Sequence, residues 1–183
     1  MLEAAAVLFH TKGYHATGLN ELVSASEAPK GSLYFHFPGG KEQLAAEALR
    51  LSGDRLCEQI TALVNQASGP ADAIEALIEL LATSLEESDF QRGCPLATAA
   101  LDAADDSAEI RNACASGYRS WQELITNSLA SHGVANERAE RLGTVVLAGI
   151  EGALLLAKTQ RDTAPLYAVV AHLRSTLEKE TSA

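Results

Sequence analysis

Apolar residues recur every three to four positions along nearly the whole of this 183-residue chain, and no window alternates apolar and polar residues. The observed spacing is that of a helix with one buried face, whereas alternation would indicate a half-buried strand. Turn-forming glycine, proline and serine clusters divide the pattern into nine segments, and no internal repeat is present. The sequence therefore predicts an all-α protein with nine helices.

The segments fall into two groups of different length. Three short segments end near Gly40, and six longer ones follow. Two short helices joined by a tight turn and preceded by a third are typical of a helix-turn-helix domain. We therefore predict a helix-turn-helix domain over residues 1–40 and a six-helix domain over residues 41–183.

Four residues mark predicted helix boundaries in this pattern. Gly13 is expected to end the first helix, and Thr17 to cap the N-terminus of the second. Pro29 is expected in the first turn of the third helix, where its missing N–H costs nothing. Ser107 is expected to cap the seventh helix.

The charge distribution limits how the chain could bind DNA. Lys and Arg number 14 against 24 Asp and Glu, a formal net charge of −10, which excludes histone-like binding by bulk charge. Residues 1–50 hold four basic and five acidic residues, whereas residues 51–183 hold ten and nineteen. The acidity is concentrated away from the helix-turn-helix segment, which is compatible with a site-specific binder that has a small basic face.

The segment from Pro29 to Lys41 contains no acidic residue. Its small residues Gly31 and Ser32 would let a helix N-terminus approach a base edge or a phosphate closely. Leu33 and Phe37 are spaced i, i+4 and are predicted to be core. The ionisable side chains of the segment are Lys30, Tyr34, His36 and Lys41. Two lysines in such a segment are also ordinary, so the residues alone leave DNA binding and a purely structural role open.

Many positions of the N-terminal part agree in order and spacing with one known family. The matching runs are Leu2–Ala5, Leu8-Phe9, Gly13-Tyr14, Ala16-Thr17, Lys30–Tyr34, Phe37 and Lys41–Leu44. From about Leu2 to Leu49 the chain resembles the DNA-binding domain of the TetR/AcrR repressor family. Further along, Gly93–Leu96 and the helix carrying Tyr118 and Trp121 resemble the regulatory domain of its LmrA/YxaF-like branch.

This resemblance implies a homodimeric repressor that binds a palindromic operator in double-stranded DNA. Residues 41–183 would form a regulatory and dimerisation domain in which a small effector releases the DNA. The DNA contacts that the resemblance implies are Thr17, Lys30, Gly31, Ser32, Tyr34, His36 and Lys41. For Thr17 a role as a helix cap alone stays open, and for His36 mere exposure is the alternative.

The sequence departs from the family pattern at the turn and at its start. Glu27 stands where the family often has glycine, and if this site needs a positive φ, glutamate costs on the order of 1 kcal/mol there. Pro29 replaces the usual serine cap of the recognition helix. The chain begins inside the first helix, where family members usually carry a basic stretch, so we expect either residues upstream of Met1 or a lowered DNA affinity.

The regulatory half offers a mostly apolar set of candidate pocket residues. They are Phe90, Leu96, Tyr118, Trp121, Gln122 and Ile125. The aromatic rings favour a small, apolar, ring-containing effector, with Gln122 available for one hydrogen bond. The alternative is that Tyr118, Trp121 and Ile125 are simply the core face of one helix.

The last two helices carry apolar stripes that include small residues. The resemblance places the dimer there, as a four-helix bundle built from two subunits. The interface residues so predicted are Val145, Gly149, Gly152, Leu166, Val169 and Leu173. Both stripes are equally compatible with an internal core.

Several other classes of protein are disfavoured. Cys57, Cys94 and Cys114 have no CxxC spacing, so neither a zinc site nor another metal is predicted, and Cys94 is expected to be a small buried side chain rather than a redox sensor. The histidines form no HExxH motif and no GxSxG occurs, so we predict no enzyme and no cofactor.

We also expect a cytoplasmic protein that makes no membrane contact. The N-terminus lacks the basic region of a signal peptide. The most apolar stretch, Val145 to Ala157, is interrupted by Glu151 and is shorter than the roughly 20 residues of a membrane span. The rival function that remains is a helical small-molecule-binding protein with weakened or lost DNA binding.

Overall fold

A computed structural model describes residues 1–27, 29 and 31–181 of the chain. Over these residues the chain forms nine α-helices and no strand, which confirms the all-α prediction. The helices are α1 (Leu2–Lys12), α2 (Leu19–Ala25), α3 (Ser32–His36), α4 (Gly40–Gln66), α5 (Pro70–Glu87), α6 (Ala97–Ala103), α7 (Ala108–Ser131), α8 (Asn136–Gln160) and α9 (Ala164–Thr181).

Two of the predicted helix boundaries are confirmed. Helix α1 ends at Gly13, which has a φ of 81° and whose N–H donates to the carbonyl of Phe9 at 3.0 Å. A left-handed φ is easy only for glycine, which explains the stop. Before α7, the hydroxyl of Ser107 accepts the N–H of Ile110 at 3.1 Å, the hydrogen bond of an N-cap.

Two other boundaries were predicted wrongly. The N-cap of α2 is Gly18, without a side-chain cap hydrogen bond, because the Thr17 hydroxyl turns inward and donates to the carbonyl of Gly13 at 2.7 Å. Pro29 lies before α3 rather than in its first turn: the Pro29 carbonyl accepts the N–H of Ser32 at 2.8 Å, which closes a separate turn before the helix.

The first of two compact units comprises Met1–Arg55 and Cys94–Tyr118. In this unit α1 packs against α2 and α6. Close packing also involves Gly117 of α7, since a Cβ built on Gly117 would lie 2.5 Å from Cδ1 of Leu96. The largest fully buried side chains of the unit are Phe9, Leu22, Leu33, Leu44, Leu96 and Ile110.

The second unit comprises Leu56–Gly93 and Arg119–Ala183. Its helix α9 packs against α5 and α8, and Arg174 of α9 forms ion pairs with Asp72 and Glu75 of α5. Large fully buried side chains here are Ile78, Leu85, Trp121, Leu129 and Leu166. Helices α4 and α7 contribute residues to both units.

Candidate functional site

The turn between α2 and α3 has a strained backbone. Glu27 lies in the left-handed region with a φ of 52°, so the condition under which glutamate is costly at this site is met. The preceding residue, Ser26, still continues the helical hydrogen bonding, because its N–H donates to the carbonyl of Leu22 at 3.1 Å. The Glu27 side chain is exposed. A left-handed backbone costs a residue with a Cβ about 1–2 kcal/mol, so this turn stores strain that glycine would not carry.

Helix α3 and Phe37, the residue that follows it, have a buried side and an exposed side. Leu33 and Phe37 are buried, as their i, i+4 spacing predicted. Tyr34, Phe35 and His36 are exposed, and we call these three residues the α3 ridge. Phe35 was missed by the sequence analysis, although its position two residues from both core side chains is a signal that places it on the opposite face.

The start of α3 is open to close approach. Gly31 is exposed, has a helical φ of −74°, and a Cβ built on it would meet nothing within 4 Å. Ser32 is half-buried beside it. Neither packing nor backbone conformation of the chain requires glycine at position 31, which is compatible with the predicted approach of DNA.

The other predicted DNA contacts differ in their surroundings. Thr17 is fully buried and its hydroxyl is engaged by Gly13, so its side chain does not reach a phosphate. Lys41 is half-buried with Nζ 4.2 Å from the centroid of the Tyr14 ring, and burial lowers the pKa of Lys41 while the Asp102 carboxylate opposes this shift. Lys30 lies outside the described residues, so its contact stays a prediction.

Helix α6 holds the turn between α1 and α2. A carboxylate oxygen of Asp102 accepts the main-chain N–H of His15 at 2.7 Å, and Nε2 of His15 lies 3.2 Å from the carboxylate of Asp106. Ser107, before α7, donates to the carboxylate of Glu42 at the start of α4. These contacts join residues far apart in the chain, and no pattern along the sequence predicted them. The first unit thus contains residues from both sides of the predicted domain boundary, and the functional division at residue 40 stays a prediction.

Two of the predicted pocket residues belong to the first unit. Leu96 is fully buried and packs against Gly117. The hydroxyl of Tyr118 lies 3.4 Å from Sγ of Cys94. Cys94 is buried, as predicted, and burial raises the pKa of the Cys114 thiol to about 11. A thiol with this pKa stays protonated at neutral pH and is a poor nucleophile.

The other four predicted pocket residues belong to the second unit. Trp121 and Ile125 are buried, whereas Gln122 and Phe90 are half-buried. The side-chain amide of Gln122 already donates to the hydroxyl of Thr144 at 2.9 Å, and the guanidinium carbon of Arg161 lies 5.6 Å from the ring centroid of Phe90. The side-chain amide of Gln122 would therefore have to leave the Thr144 hydroxyl to donate the predicted hydrogen bond to an effector.

A small apolar cavity lies within the second unit. Its volume is about 20 Å³, and Ile125 lines it together with residues of α4, α5 and α9. A cavity that holds benzene measures about 150 Å³, so a ring-containing molecule would fit here only after side chains move. The structure thus places one of the six predicted pocket residues at this cavity.

The six predicted interface residues differ in exposure: Val145 and Gly152 are exposed, Gly149 and Val169 are half-buried, and Leu166 and Leu173 are buried. Leu166 and Leu173 are buried in the subunit's own core between α9 and its neighbours, so neither is available to a partner, and this part of the prediction is wrong. Val169 is half-buried, and its Cγ1 would lie 3.5 Å from a Cβ on Gly149.

Helix α8, in contrast, carries an exposed apolar stripe. Val145, Leu155 and Leu156 are 58%, 56% and 50% exposed, and the exposed Gly152 lies on the same helix face. The spacing of seven from Val145 to Gly152 and of three and four onward to Leu155 and Leu156 keeps these residues on one side of the helix. We call these four residues the α8 stripe.

Known proteins match both parts of the chain. Residues 1–48 match the family described as bacterial regulatory proteins, tetR family, and residues 70–172 match the C-terminal domain of LmrA/YxaF-like transcriptional regulators. The uncharacterized HTH-type transcriptional regulator YxaF of Bacillus subtilis (strain 168) is 36% identical over 180 residues, which cover 98% of this chain and 94% of YxaF. The chain belongs to the TetR family.

Two further relatives of this TetR-family regulator bear on its function. The HTH-type transcriptional regulator LmrA of the same organism is 37% identical over 166 residues, which cover 91% of this chain and 88% of LmrA. The TetR-family regulator CifR, solved as a cysteine mutant with 26-bp double-strand operator DNA, has a TM-score of 0.78 at 25% identity, covering 95% of this chain and 93% of CifR. The protein is therefore a helix-turn-helix transcriptional regulator of a DNA-binding repressor family, and its matched families and relatives are regulators rather than enzymes.

The TetR fold also accounts for the apolar character of α8. By length and composition this helix could cross a membrane. Its apolar region is longer than the segment from Val145 to Ala157 that was identified from the sequence. Helix α8 packs against α9, and its residues Leu142, Val146 and Ile150 are buried. This places α8 among the packed helices of the regulator. Among residues 1–27, 29 and 31–181, no group of three His, Cys, Asp or Glu side chains is arranged to hold a metal ion.

Proposed function

We propose that this TetR-family regulator is a dimeric repressor that binds a palindromic operator and is released by a small apolar effector. The observation that carries the proposal is the α3 ridge, an exposed set of aromatic and imidazole side chains opposite the buried pair Leu33 and Phe37. The CifR complex with operator DNA supports a DNA-reading role for the equivalent part of this fold.

The proposed DNA contacts are Gly31, Ser32, Tyr34, His36 and Lys41, with Lys30 retained from the sequence analysis. Tyr34 and His36 are exposed, and Gly31 leaves room for a close approach, whereas the buried Thr17 is left out. Contacts to phosphate position a protein on the duplex, and contacts to base edges give specificity. Residues 1–40 would then act as the DNA-binding domain of a regulator that works in the cytoplasm.

The α8 stripe supports a dimer in which two subunits pair through this helix. Exposing three large apolar side chains on one helix face is unfavourable in water, and a symmetric contact would cover them on both subunits at once. Gly149 and Gly152 would allow a close approach of the two helices. A dimer would present two α3 helices to half-sites about 34–36 Å apart.

Light scattering tests the dimer with two matched charge substitutions. Leu155→Glu is expected to give monomers with lost operator binding, because it places a charge within the α8 stripe. Leu101→Glu introduces the same charge at an exposed leucine of α6 and is expected to leave the dimer intact. A parent protein that is monomeric at micromolar concentration would contradict the proposal.

The effector would bind in the regulatory domain, where the candidates are the four predicted pocket residues of the second unit, Phe90, Trp121, Gln122 and Ile125. An effector that binds more tightly to dimers whose two α3 helices are not spaced for the operator must lower the affinity for DNA, because the coupling between two ligands is reciprocal. Trp121 is the single tryptophan, so its fluorescence reports binding. We expect an apolar ring compound to change this fluorescence and release DNA over one concentration range. Trp121→Phe keeps an apolar ring at this buried position, so DNA binding should persist while more of the compound is needed to release the DNA.

A gel shift with the DNA upstream of the protein's own gene tests the function as a whole. We expect binding that survives excess unrelated DNA and weakens in Tyr34→Ala. A protein that binds small apolar compounds but shows no preference for any DNA would support the rival function, a helical binding protein that has lost its operator. The strained, acidic turn at Glu27 is the observation that favours this rival.

A further inference from the structure

The most exposed aromatic ring in the part of the chain that the structure describes is Phe35, at the middle of α3. Its side chain is 80% exposed, whereas Phe9 and Phe37 are buried and Phe90 is half-buried. Phe35 lies two residues from both Leu33 and Phe37, and two residues correspond to about 200° around a helix. It therefore points away from the side that packs on the rest of the first unit.

The ring of Phe35 is held by its neighbour rather than by the core. Its centroid lies 4.9 Å from the His36 ring, with an interplanar angle of 88°, an edge-to-face contact. Tyr34, on the other side, is 59% exposed. Phe35 thus stands between two side chains already proposed to contact DNA, and it has no group that could bond to a phosphate.

A phenyl ring can recognise a base only by apolar contact. In the major groove each base pair presents hydrogen-bonding groups, and thymine alone adds a methyl group at C5. Tyr34, His36 and Ser32 can donate or accept hydrogen bonds, whereas Phe35 can do neither. Of the groups in the groove, the thymine methyl is therefore the one that suits Phe35.

We propose that Phe35 is a specificity-determining residue that reads a thymine methyl group in each half of the operator. The inference rests on the proposed function and deepens it, because it assigns a base preference to a residue that the family resemblance left without a role. The same contact covers an aromatic ring that is otherwise exposed to water.

The test replaces single thymines of the bound upstream DNA by deoxyuridine, which lacks only the C5 methyl. For the parent protein, replacement at one position or a few positions per half-site is expected to weaken binding about four-fold for each methyl removed, the effect of burying one such group. Phe35→Ala is expected to bind the thymine and deoxyuridine duplexes equally at those positions. Leu101→Ala removes an equally exposed apolar side chain, 82% exposed, from α6 and is expected to keep the discrimination.

The outcomes separate this inference from the proposed function. A parent protein that binds the upstream DNA but never distinguishes thymine from deoxyuridine overturns the assignment of Phe35 alone, whatever the variants do. Discrimination that persists in Phe35→Ala also overturns it, as does a loss of affinity in Phe35→Ala that is the same for every base. A parent protein that binds no DNA overturns both the inference and the proposed function.

Discussion

Replacing Glu27 by glycine is expected to stabilise the protein. Glu27 has a φ of 52°, and relief of this left-handed backbone is worth about 1–2 kcal/mol. Glycine also makes the unfolded chain more flexible, which offsets about 0.4–1 kcal/mol of this gain. The side chain is exposed, so its removal loses no core packing. The free energy of unfolding should therefore rise by roughly 0.8 kcal/mol, the difference between the centres of these two ranges.

Urea denaturation at a fixed protein concentration measures this change. With a slope of about 2 kcal/mol per molar urea, the midpoint should rise by roughly 0.3–0.5 M. Glu27→Gln keeps the side chain and the strained backbone but removes the charge, so its midpoint should match that of the parent protein. If Glu27→Gly unfolds at a lower urea concentration than the parent protein, the backbone at position 27 is not strained in the parent.

The same two variants separate strain from charge in DNA binding. A carboxylate about 8 Å from a phosphate repels it by roughly 0.5 kcal/mol in water, so both Glu27→Gln and Glu27→Gly should bind operator DNA about two-fold more tightly. Fluorescence anisotropy at low salt measures the affinity, and added salt should reduce the difference. Equal affinities of the parent and Glu27→Gln at low salt would place Glu27 away from the DNA.

Three further substitutions test particular contacts. Gly31→Ala should leave the unfolding free energy in urea unchanged or raise it by up to about 1 kcal/mol, since the added Cβ meets nothing in the chain. The same variant should bind operator DNA more weakly in anisotropy measurements. An unchanged affinity would mean that α3 does not approach DNA closely at this position. Asp102→Ala should lower the unfolding free energy by about 1 kcal/mol, because the His15 N–H loses a charged acceptor, and an unchanged urea midpoint would contradict this. Gly117→Ala should cost about 1–3 kcal/mol by thermal or urea unfolding through its clash with Leu96, and a stability equal to that of the parent would show that this packing yields easily.

The features that the sequence predicted well depend on local signals. Helical periodicity, the glycine stop at Gly13 and the serine cap at Ser107 each act within a few residues, so they are visible in the chain itself. The family position where glycine is usual singled out Glu27, whereas its positive φ was found only in the structure. Leu33 and Phe37 were identified as core because their i, i+4 spacing admits one buried face.

The features that were missed depend on tertiary structure. Thr17 has the residue type of a cap, but its hydroxyl bonds inside the first unit instead. Periodicity shows that Leu166 and Leu173 share an apolar face, yet it cannot tell a subunit's own core from a face for a partner. Asp102 and His15 are 87 residues apart, and no pattern along the chain joins them.

A footprint on the DNA upstream of the protein's own gene shows whether two α3 helices read a symmetric operator. Cleavage by hydroxyl radicals maps the protected nucleotides of both strands at single-base resolution. A dimer that inserts two α3 helices should protect two half-sites related by two-fold symmetry, with centres about 34–36 Å apart along the duplex or a multiple of this spacing. Uniform cleavage in the presence of the protein, or one protected site without a symmetric counterpart, would contradict the account.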